Sequence, residues 1–325
     1  MADLDVVNGD ADGLCAWVQL RLVAPRDSRL VTGVKRDIRL LDRVTAGAGD
    51  RVTVLDISLD SNRQALLHLL GAGARVDYFD HHHTGEIPEA EGLSAFIDTA
   101  PDTCTSLLVD RHLAGARRLW AIAGAFGDNL HEAGIRLAGE CSLDRTRIAT
   151  LRALGEAINY NAYGETLEDL RYRPDDLARC LLDAADPFDF AAGSDQFRTL
   201  AAGMAEDLDR ARGLTPLAAS ANSAAYLLPD AAWSRRVSGV FANELARANP
   251  EQAHAILSRQ SSGEGCTVSV RAPKARPTGA DALCRQFPTG GGRSAAAGIN
   301  LLPESALPGF LDAFQRHFAG TGKRA

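Results

Sequence analysis

The feature that most constrains this chain is an order repeated in its first third. A short apolar segment leads into an acidic residue, and a helical segment usually follows. Three such acids are Asp10 after residues 4–7, Asp56 after 51–55 and Asp80 after 74–79. Short apolar segments that alternate with helices predict βαβ units and a mainly parallel sheet. Such sheets carry their chemistry at the carboxyl ends of the strands, so we expect these acids to converge on one edge.

The same kind of pattern extends over two domains. A chain of 325 residues suits about two hydrophobic cores. We expect a doubly wound α/β domain over residues 1–190, a connector helix over 191–215 and a smaller α/β domain over 216–325, with a cleft between the lobes. The polar, aromatic stretch 159–164 is predicted to interrupt a helical region. It is either an ordinary connection or part of the wall of the cleft.

Composition narrows the classes of partner. The net charge is −7, and no basic stripe is evident of the kind that long nucleic acid requires. A short anionic substrate held by a few local arginines remains compatible. The six cysteines form no CxxC pair, which argues against a zinc ribbon and is typical of reduced thiols. No apolar run approaches the ~18 residues that span a membrane, and no signal peptide is evident. We therefore expect a cytoplasmic protein with no membrane partner.

Acids and imidazoles gathered on one edge predict a metal site. Asp80 opens the stretch Asp80-His81-His82-His83, and Asp10 belongs to Asp10-Ala11-Asp12-Gly13. Taken alone, the first stretch also suits a solvated loop, and the second suits a turn or a helix cap. Asp56 is the natural bridge between two metals, and Asp128, although it follows a helix, can reach the same rim. Carboxylates with one imidazole suit Mn²⁺ or Mg²⁺, and two such ions ~3.5–4 Å apart form the usual clamp for attack on a phosphate.

A second candidate site lies near the C-terminus. Gly290, Gly291 and Gly292 are predicted to form a loop whose N–H groups bind an anion. Arg293 follows at once, and Arg271 ends a predicted strand, so the two guanidinium groups complete a plausible phosphate clamp. The alternatives are a flexible turn and solvated surface arginines.

These motifs resemble, in order, those of the DHH phosphoesterases and their DHH-associated domain. The matching stretches are Asn8-Gly9-Asp10-Ala11-Asp12-Gly13, Asp56-Ile57-Ser58, Asp80-His81-His82, Gly127-Asp128-Asn129, Val268-Ser269-Val270-Arg271 and Gly290-Gly291-Gly292-Arg293. The resemblance spans nearly the whole chain. It implies a di-manganese site in the first lobe and substrate recognition in the second. Members include RecJ-type exonucleases, nanoRNase/pAp phosphatases, linear and cyclic dinucleotide phosphodiesterases, and polyphosphatases.

The resemblance also implies a role for each matching residue. Asp10 and Asp56 would bind the first metal. The second metal would be bound by Asp12, Asp56, His81 and Asp128, so the two metals would share Asp56. His82 would face the scissile phosphate, and Asp80 would orient the adjacent imidazole. Arg271 and the glycine loop would hold a terminal phosphate or nucleotide.

Two positions depart from the family pattern. Asn8 stands where the first motif usually has His, and an amide oxygen is the weaker ligand for a transition metal. The first metal is therefore expected to be loosely held, supplied with the substrate, or more tolerant of Mg²⁺. Arg293 stands where the family usually has His after the glycines. Its permanent charge strengthens phosphate binding or shifts the choice of substrate.

These observations predict a Mn²⁺-dependent phosphodiesterase or phosphatase with two ions, which Mg²⁺ or Co²⁺ could replace. It would hydrolyse phosphate esters of short oligonucleotides, dinucleotides or nucleoside bisphosphates through metal-activated water. Its partner would be that short nucleic acid or nucleotide, and a homodimer is compatible with the sequence. The alternatives are a hydrolase of polyphosphate or inorganic phosphate, and a non-catalytic nucleotide-binding protein with a weakened metal site.

Overall fold

The computed structural model describes residues 2–319. The chain divides between Ala202 and Gly203 into two compact units. This point lies inside α9 (Asp195–Arg212), the helix expected as a connector. Within residues 2–319, no helix has the length and apolar character needed to cross a membrane.

The first unit is built on a parallel sheet surrounded by helices. Its elements up to α9 are β1 (Asp3–Val7), α1 (Ala11–Val23), β2 (Arg29–Thr32), β3 (Arg51–Leu55), α2 (Leu59–Gly71), β4 (Arg75–Asp80), β5 (Leu93–Ile97), α3 (Thr105–His112), α4 (Arg118–Gly127), α5 (His131–Glu140), α6 (Arg145–Ala162), α7 (Pro174–Ala184) and α8 (Pro187–Gly193).

The five strands run parallel in the order β2-β1-β3-β4-β5. Val7 of β1 pairs with Leu55 of β3, and Leu55 pairs with Phe79 of β4, so these three strands end side by side. Their apolar side chains are buried, as expected for a parallel sheet covered by helices. The predicted α/β class is confirmed, and the segments that follow β1, β3 and β4 share one edge.

One local prediction in this unit is wrong. Asn159–Ala162, expected to lie in a loop, form the last turn of α6. Asn161 stabilises this turn because its amide donates to the carbonyl of Tyr172 (2.8 Å) and accepts from the N–H groups of Arg171 and Tyr172 (3.0 Å each). These polar side chains face tertiary partners, which the local pattern did not reveal.

The second unit contains a six-stranded mixed sheet. Its elements after α9 are β6 (Ala218–Ala219), β7 (Ser223–Leu228), α10 (Ala232–Ala248), β8 (Ala253–Arg259), β9 (Gly265–Arg271), α11 (Ala280–Cys284), β10 (Gly290–Gly292), β11 (Ala296–Pro303) and α12 (Leu307–Ala319). The strand order is β10-β11-β9-β8-β7-β6. The β7–β8 pair is parallel, and the other neighbouring pairs are antiparallel.

The predicted glycine loop is also wrong, because Gly290–Gly292 pair with β11 as a strand. A Cβ on Gly290 would lie 1.8 Å from the carbonyl oxygen of Cys284. Gly292 has a φ of 134°, and a Cβ there would lie 2.5 Å from the Cα of Ala297. Close backbone packing therefore explains two of the three glycines without an anion.

A buried histidine in the second unit makes its stability depend on pH. His254 in β8 is fully buried, and neither ring nitrogen makes a hydrogen bond of good geometry. Burial lowers the pKa of His254 from 6.5 to about 4. The unfolded chain therefore binds the extra proton first, and stability is lost as the pH falls from about 6.5 towards 4. We expect His254 to lower the free energy of unfolding by about 2 kcal/mol when the pH falls from 7.5 to 5.

This loss is measured by urea denaturation at the two pH values. Between these pH values, the free energy of unfolding of His254→Leu should fall by about 2 kcal/mol less than that of the wild type. The reason is that nothing at position 254 then titrates. His68→Gln, which alters an exposed histidine of α2, serves as the control and should lose as much as the wild type. Equal pH dependence in His254→Leu and the wild type would contradict the prediction.

Candidate metal centre

Asp56 is held at the end of β3 by an unusual backbone. Its φ is 62°, a left-handed conformation that Asp adopts more readily than most residues. Its N–H donates to the carbonyl of Phe79 (3.0 Å), and Oγ1 of Thr105 donates to its Oδ1 (3.1 Å). The residue is 1% exposed. The turn therefore fixes a buried carboxylate at the edge of the sheet.

The two carboxylates that follow β1 are anchored differently. Asp10 is the N-cap of α1, so the helix-cap interpretation is correct for it, and its other oxygen contacts the ammonium of Lys35. Asp12 accepts the backbone N–H groups of Thr105 and Ser106 at the start of α3 (2.7 Å each). Both side chains are buried. Asp12 thus ties α1 to α3 at the same edge as Asp56.

His81 stands among three of the acids. Its Nε2 lies 3.5 Å from Oδ1 of Asp56 and 3.9 Å from both Oδ2 of Asp12 and Oδ2 of Asp128. Within residues 2–319, two groups of three acidic or histidine side chains have ligand atoms within 4.8 Å of one another. One group is Asp12, His81 and Asp128, and the other is Asp56, His81 and His82. The structure therefore brings together five residues named from the sequence.

Asp80 supports His82. Asp80 is fully buried, and its Oδ1 lies 2.7 Å from Nδ1 of His82, whose side chain is 45% exposed. Although burial lowers the pKa of His82, the hydrogen bond and charge of Asp80 raise it overall. The adjacent imidazole that Asp80 orients is thus that of His82. His83 is exposed, and its carbonyl accepts from Oγ of Ser58 (3.3 Å).

Lys35 was not predicted as a site residue. It follows β2, and its ammonium contacts Asp10, donates to Oδ1 of Asn159 (3.3 Å) and lies 3.8 Å from Oδ1 of Asp128. Although burial lowers the pKa of Lys35, the charges of Asp10 and Asp128 and the hydrogen bond to Asp10 raise it well above its usual value. The one signal in the sequence was that β2 ends at the same edge as β1.

The amide of Asn8 serves the backbone around this lysine. Its Oδ1 accepts from the N–H of Asp10 (3.3 Å), and its Nδ2 donates to the carbonyl of Lys35 (3.4 Å). The residue is buried. Asn8 was named as an uncertain ligand, and the structure places it in support of Asp10 and Lys35.

The charges of the centre are unevenly balanced. Burial and the charges of Asp10, Asp12 and Asp128 raise the pKa of Asp56 well above its usual value. The pKa of Asp128 is also raised, chiefly by burial. Burial also tends to raise the pKa of Asp10, but Lys35 lowers that pKa to about 2. Lys35 therefore compensates Asp10 more fully than it compensates Asp56 or Asp128.

A divalent cation fits the less compensated side of the centre, around Asp12, Asp56 and Asp128. Asp12, Asp56, His81 and Asp128 offer carboxylate oxygens and an imidazole nitrogen, a donor set suited to Mn²⁺ or Mg²⁺. The position expected for a further ion at Asp10 fits less well, because the Lys35 ammonium contacts that carboxylate. The two predicted metal positions thus differ in their surroundings.

In the second unit, the predicted phosphate contacts gather at one end of the sheet. Arg271 ends β9 opposite Ala296 of β11, and Gly292 of β10 pairs with the neighbouring Ala297. The guanidinium of Arg271 donates to Oδ1 of Asn243 and to Oγ of Ser269 (3.0 Å each). Arg293, between β10 and β11, is exposed.

Comparisons with known proteins agree with this architecture. No protein-family model and no curated protein matches the chain at a significant level. Exonuclease RecJ bound to manganese matches with a TM-score of 0.60 and 19% identity over 98% of this chain and 90% of that one. RecJ in complex with Mn²⁺ from Thermus thermophilus matches with a TM-score of 0.61 and 20% identity. That match covers 98% of this chain but 52% of the Thermus protein, about half its length.

A third structure extends the comparison to another member of this fold. The pGpG-specific phosphodiesterase PggH from Vibrio cholerae matches with a TM-score of 0.55 and 14% identity, over 99% of this chain and 100% of that one. All three matches cover nearly the whole of this chain. The chain therefore has a RecJ-like α/β fold of two units.

Proposed function

We propose that this protein is a metal-dependent phosphoesterase that hydrolyses phosphate esters of short oligonucleotides, dinucleotides or nucleoside bisphosphates. The observation that carries the proposal is the convergence of buried carboxylates with His81, beside the half-exposed ring of His82. Phosphoester hydrolysis needs positive charge near the phosphate, and this donor set can bind a divalent cation that supplies the charge. Two structures with the same fold are RecJ proteins with manganese, which favours Mn²⁺.

The residues divide the work of the reaction. Asp12, Asp56, His81 and Asp128 would hold the cation. When bound, it supplies positive charge that activates water and neutralises the phosphoryl oxygens. Asp80 fixes the Nδ1 side of the His82 ring. This leaves Nε2 as the ring nitrogen available to contact a phosphate oxygen.

Short substrates suit the charges of this protein. Its net charge is −7, and the centre concentrates carboxylates that repel a long polyanion. We propose that Arg271 and Arg293 of the second unit bind a terminal phosphate or nucleotide of the substrate. Asn243 and Ser269 already hold the Arg271 guanidinium in one orientation, which reduces the entropy lost when a phosphate binds.

A product assay tests the proposal. The protein is incubated with Mn²⁺ and, separately, with short RNA, pAp, a linear dinucleotide, a cyclic dinucleotide and polyphosphate. We expect mononucleotides from the linear dinucleotide or short RNA, or AMP and phosphate from pAp. EDTA should abolish turnover, and added Mn²⁺ should restore it.

Two results would contradict the proposal in different ways. If polyphosphate is the only substrate hydrolysed, the protein is a polyphosphate hydrolase instead. Binding of Mn²⁺ and of nucleotide without turnover of any substrate would assign a non-catalytic role. Asp60→Asn is the matched control for the variants of the centre, because Asp60 is an exposed carboxylate on α2. It should keep the full rate.

A further inference from the structure

The ammonium of Lys35 lies among the carboxylates of the centre. Its ammonium contacts Asp10, donates to Oδ1 of Asn159 and lies 3.8 Å from Oδ1 of Asp128. It also lies 5.6 Å from the centre of the Tyr163 ring. Two carboxylates, an amide oxygen and an aromatic face are the surroundings in which a fixed positive charge is stabilised.

The backbone holds this lysine in place. The N–H of Lys35 donates to the carbonyl of Ala162 at the end of α6 (2.9 Å), and the carbonyl of Lys35 accepts from Asn8 (3.4 Å). The preceding segment packs closely on the turn after β1, where a Cβ on Gly9 would lie 2.0 Å from the carbonyl of Gly33. The side chain is therefore presented from an anchored segment.

Asp10 is not part of either group of three metal-binding side chains. Within the described residues, the two such groups are formed by Asp12, Asp56, His81, His82 and Asp128. Asp10 instead has a hydrogen bond to α1 on one oxygen and Lys35 on the other. Asn8, the other residue expected near the first metal, uses its amide oxygen to accept from the backbone of Asp10.

We propose that the Lys35 ammonium replaces one of the two cations, so that the protein binds a single divalent ion at Asp12, Asp56, His81 and Asp128. This inference rests on the proposed metal-dependent function, and it changes the composition of the site. The second positive charge belongs to the chain and is not removed by a chelator. A single charge also balances Asp10 without a further ion. The centre becomes a cation–ammonium pair facing the substrate phosphate.

The number of bound ions tests the inference without an activity assay. Protein stripped with EDTA is titrated with Mn²⁺ by calorimetry, and the metal content is then measured by mass spectrometry after gel filtration. We expect one Mn²⁺ per chain in the wild type and in Lys35→Arg, which keeps the charge. Lys35→Ala should bind two. Lys274→Ala, which removes an exposed lysine, is the control and should bind one.

Electron paramagnetic resonance gives a second readout. The wild type should show the resolved hyperfine pattern of an isolated Mn²⁺, and Lys35→Ala should show the broadened signal of two coupled ions. Lys35→Gln, which keeps most of the side-chain volume, replaces Lys35→Ala if that variant fails to fold.

Each outcome decides a separate point. Two ions per chain in the wild type would overturn the inference and leave the proposed function standing. An unchanged count in both Lys35→Ala and Lys35→Gln would also overturn it. A wild type that binds no Mn²⁺ would overturn the proposed function together with the inference.

Discussion

Asp56→Asn is expected to lower the rate of phosphoester hydrolysis about a thousandfold and to leave the fold intact. The change removes one negative charge from the cation-binding side, where it is worth several kcal/mol in the transition state. Asn tolerates the left-handed backbone at this position, and its amide oxygen can still accept from Thr105. Asp56→Ala would add backbone strain to the loss of charge, so Asn is the cleaner variant.

The melting temperature of the metal-free variant carries separate information. Asp10, Asp12 and Asp128 repel a negative charge at Asp56. We therefore expect Asp56→Asn to melt at the same temperature as the wild type or higher when both are in EDTA. Steady-state kinetics with Mn²⁺ and calorimetric melting check both points, with Asp60→Asn as the control. Full activity in Asp56→Asn would contradict the assigned role, and a large loss of stability would show that the carboxylate is structural.

Asp5→Ala is expected to destabilise the first unit by about 3–5 kcal/mol. Asp5 of β1 is 1% exposed and forms two hydrogen bonds of 2.7 Å with the guanidinium of Arg21 in α1. Trp17 and Ser28 donate to the same carboxylate. Removing the carboxylate leaves the Arg21 charge buried without its partner, and that is the costly case for a buried ion pair.

Chemical denaturation followed by circular dichroism measures this loss. Asp3→Ala on the same strand is the control, because the Asp3 pairs with Arg26 and Arg51 are more exposed and should contribute under about 1 kcal/mol. The double variant Asp5→Leu/Arg21→Met should recover much of the stability, since no charge is then buried. A loss below about 1 kcal/mol in Asp5→Ala would show that Arg21 finds another partner.

Local patterns correctly predicted most of the elements and failed where tertiary contacts decide. The turn Asn159–Ala162 is helical because Asn161 bonds to the backbone of Arg171 and Tyr172. The stretch Gly290–Gly292 is a strand because its backbone pairs with β11. Polar or glycine-rich composition is typical of loops, and the partners that override it are not local.

The sequence by itself determined the parallel sheet of the first unit and the common edge at which Asp10, Asp56 and Asp80 lie. Periodicity and the placement of acids after strands are local, and the geometry of a parallel sheet does the rest. Only the tertiary structure decided which partner each carboxylate has, namely Lys35 for Asp10, His81 for Asp56 and His82 for Asp80. Lys35 reaches Asn159, 124 residues away in the chain. Such a contact depends on the packing of β2 beside β1 and on the length of a lysine side chain, and no spacing in the sequence encodes either.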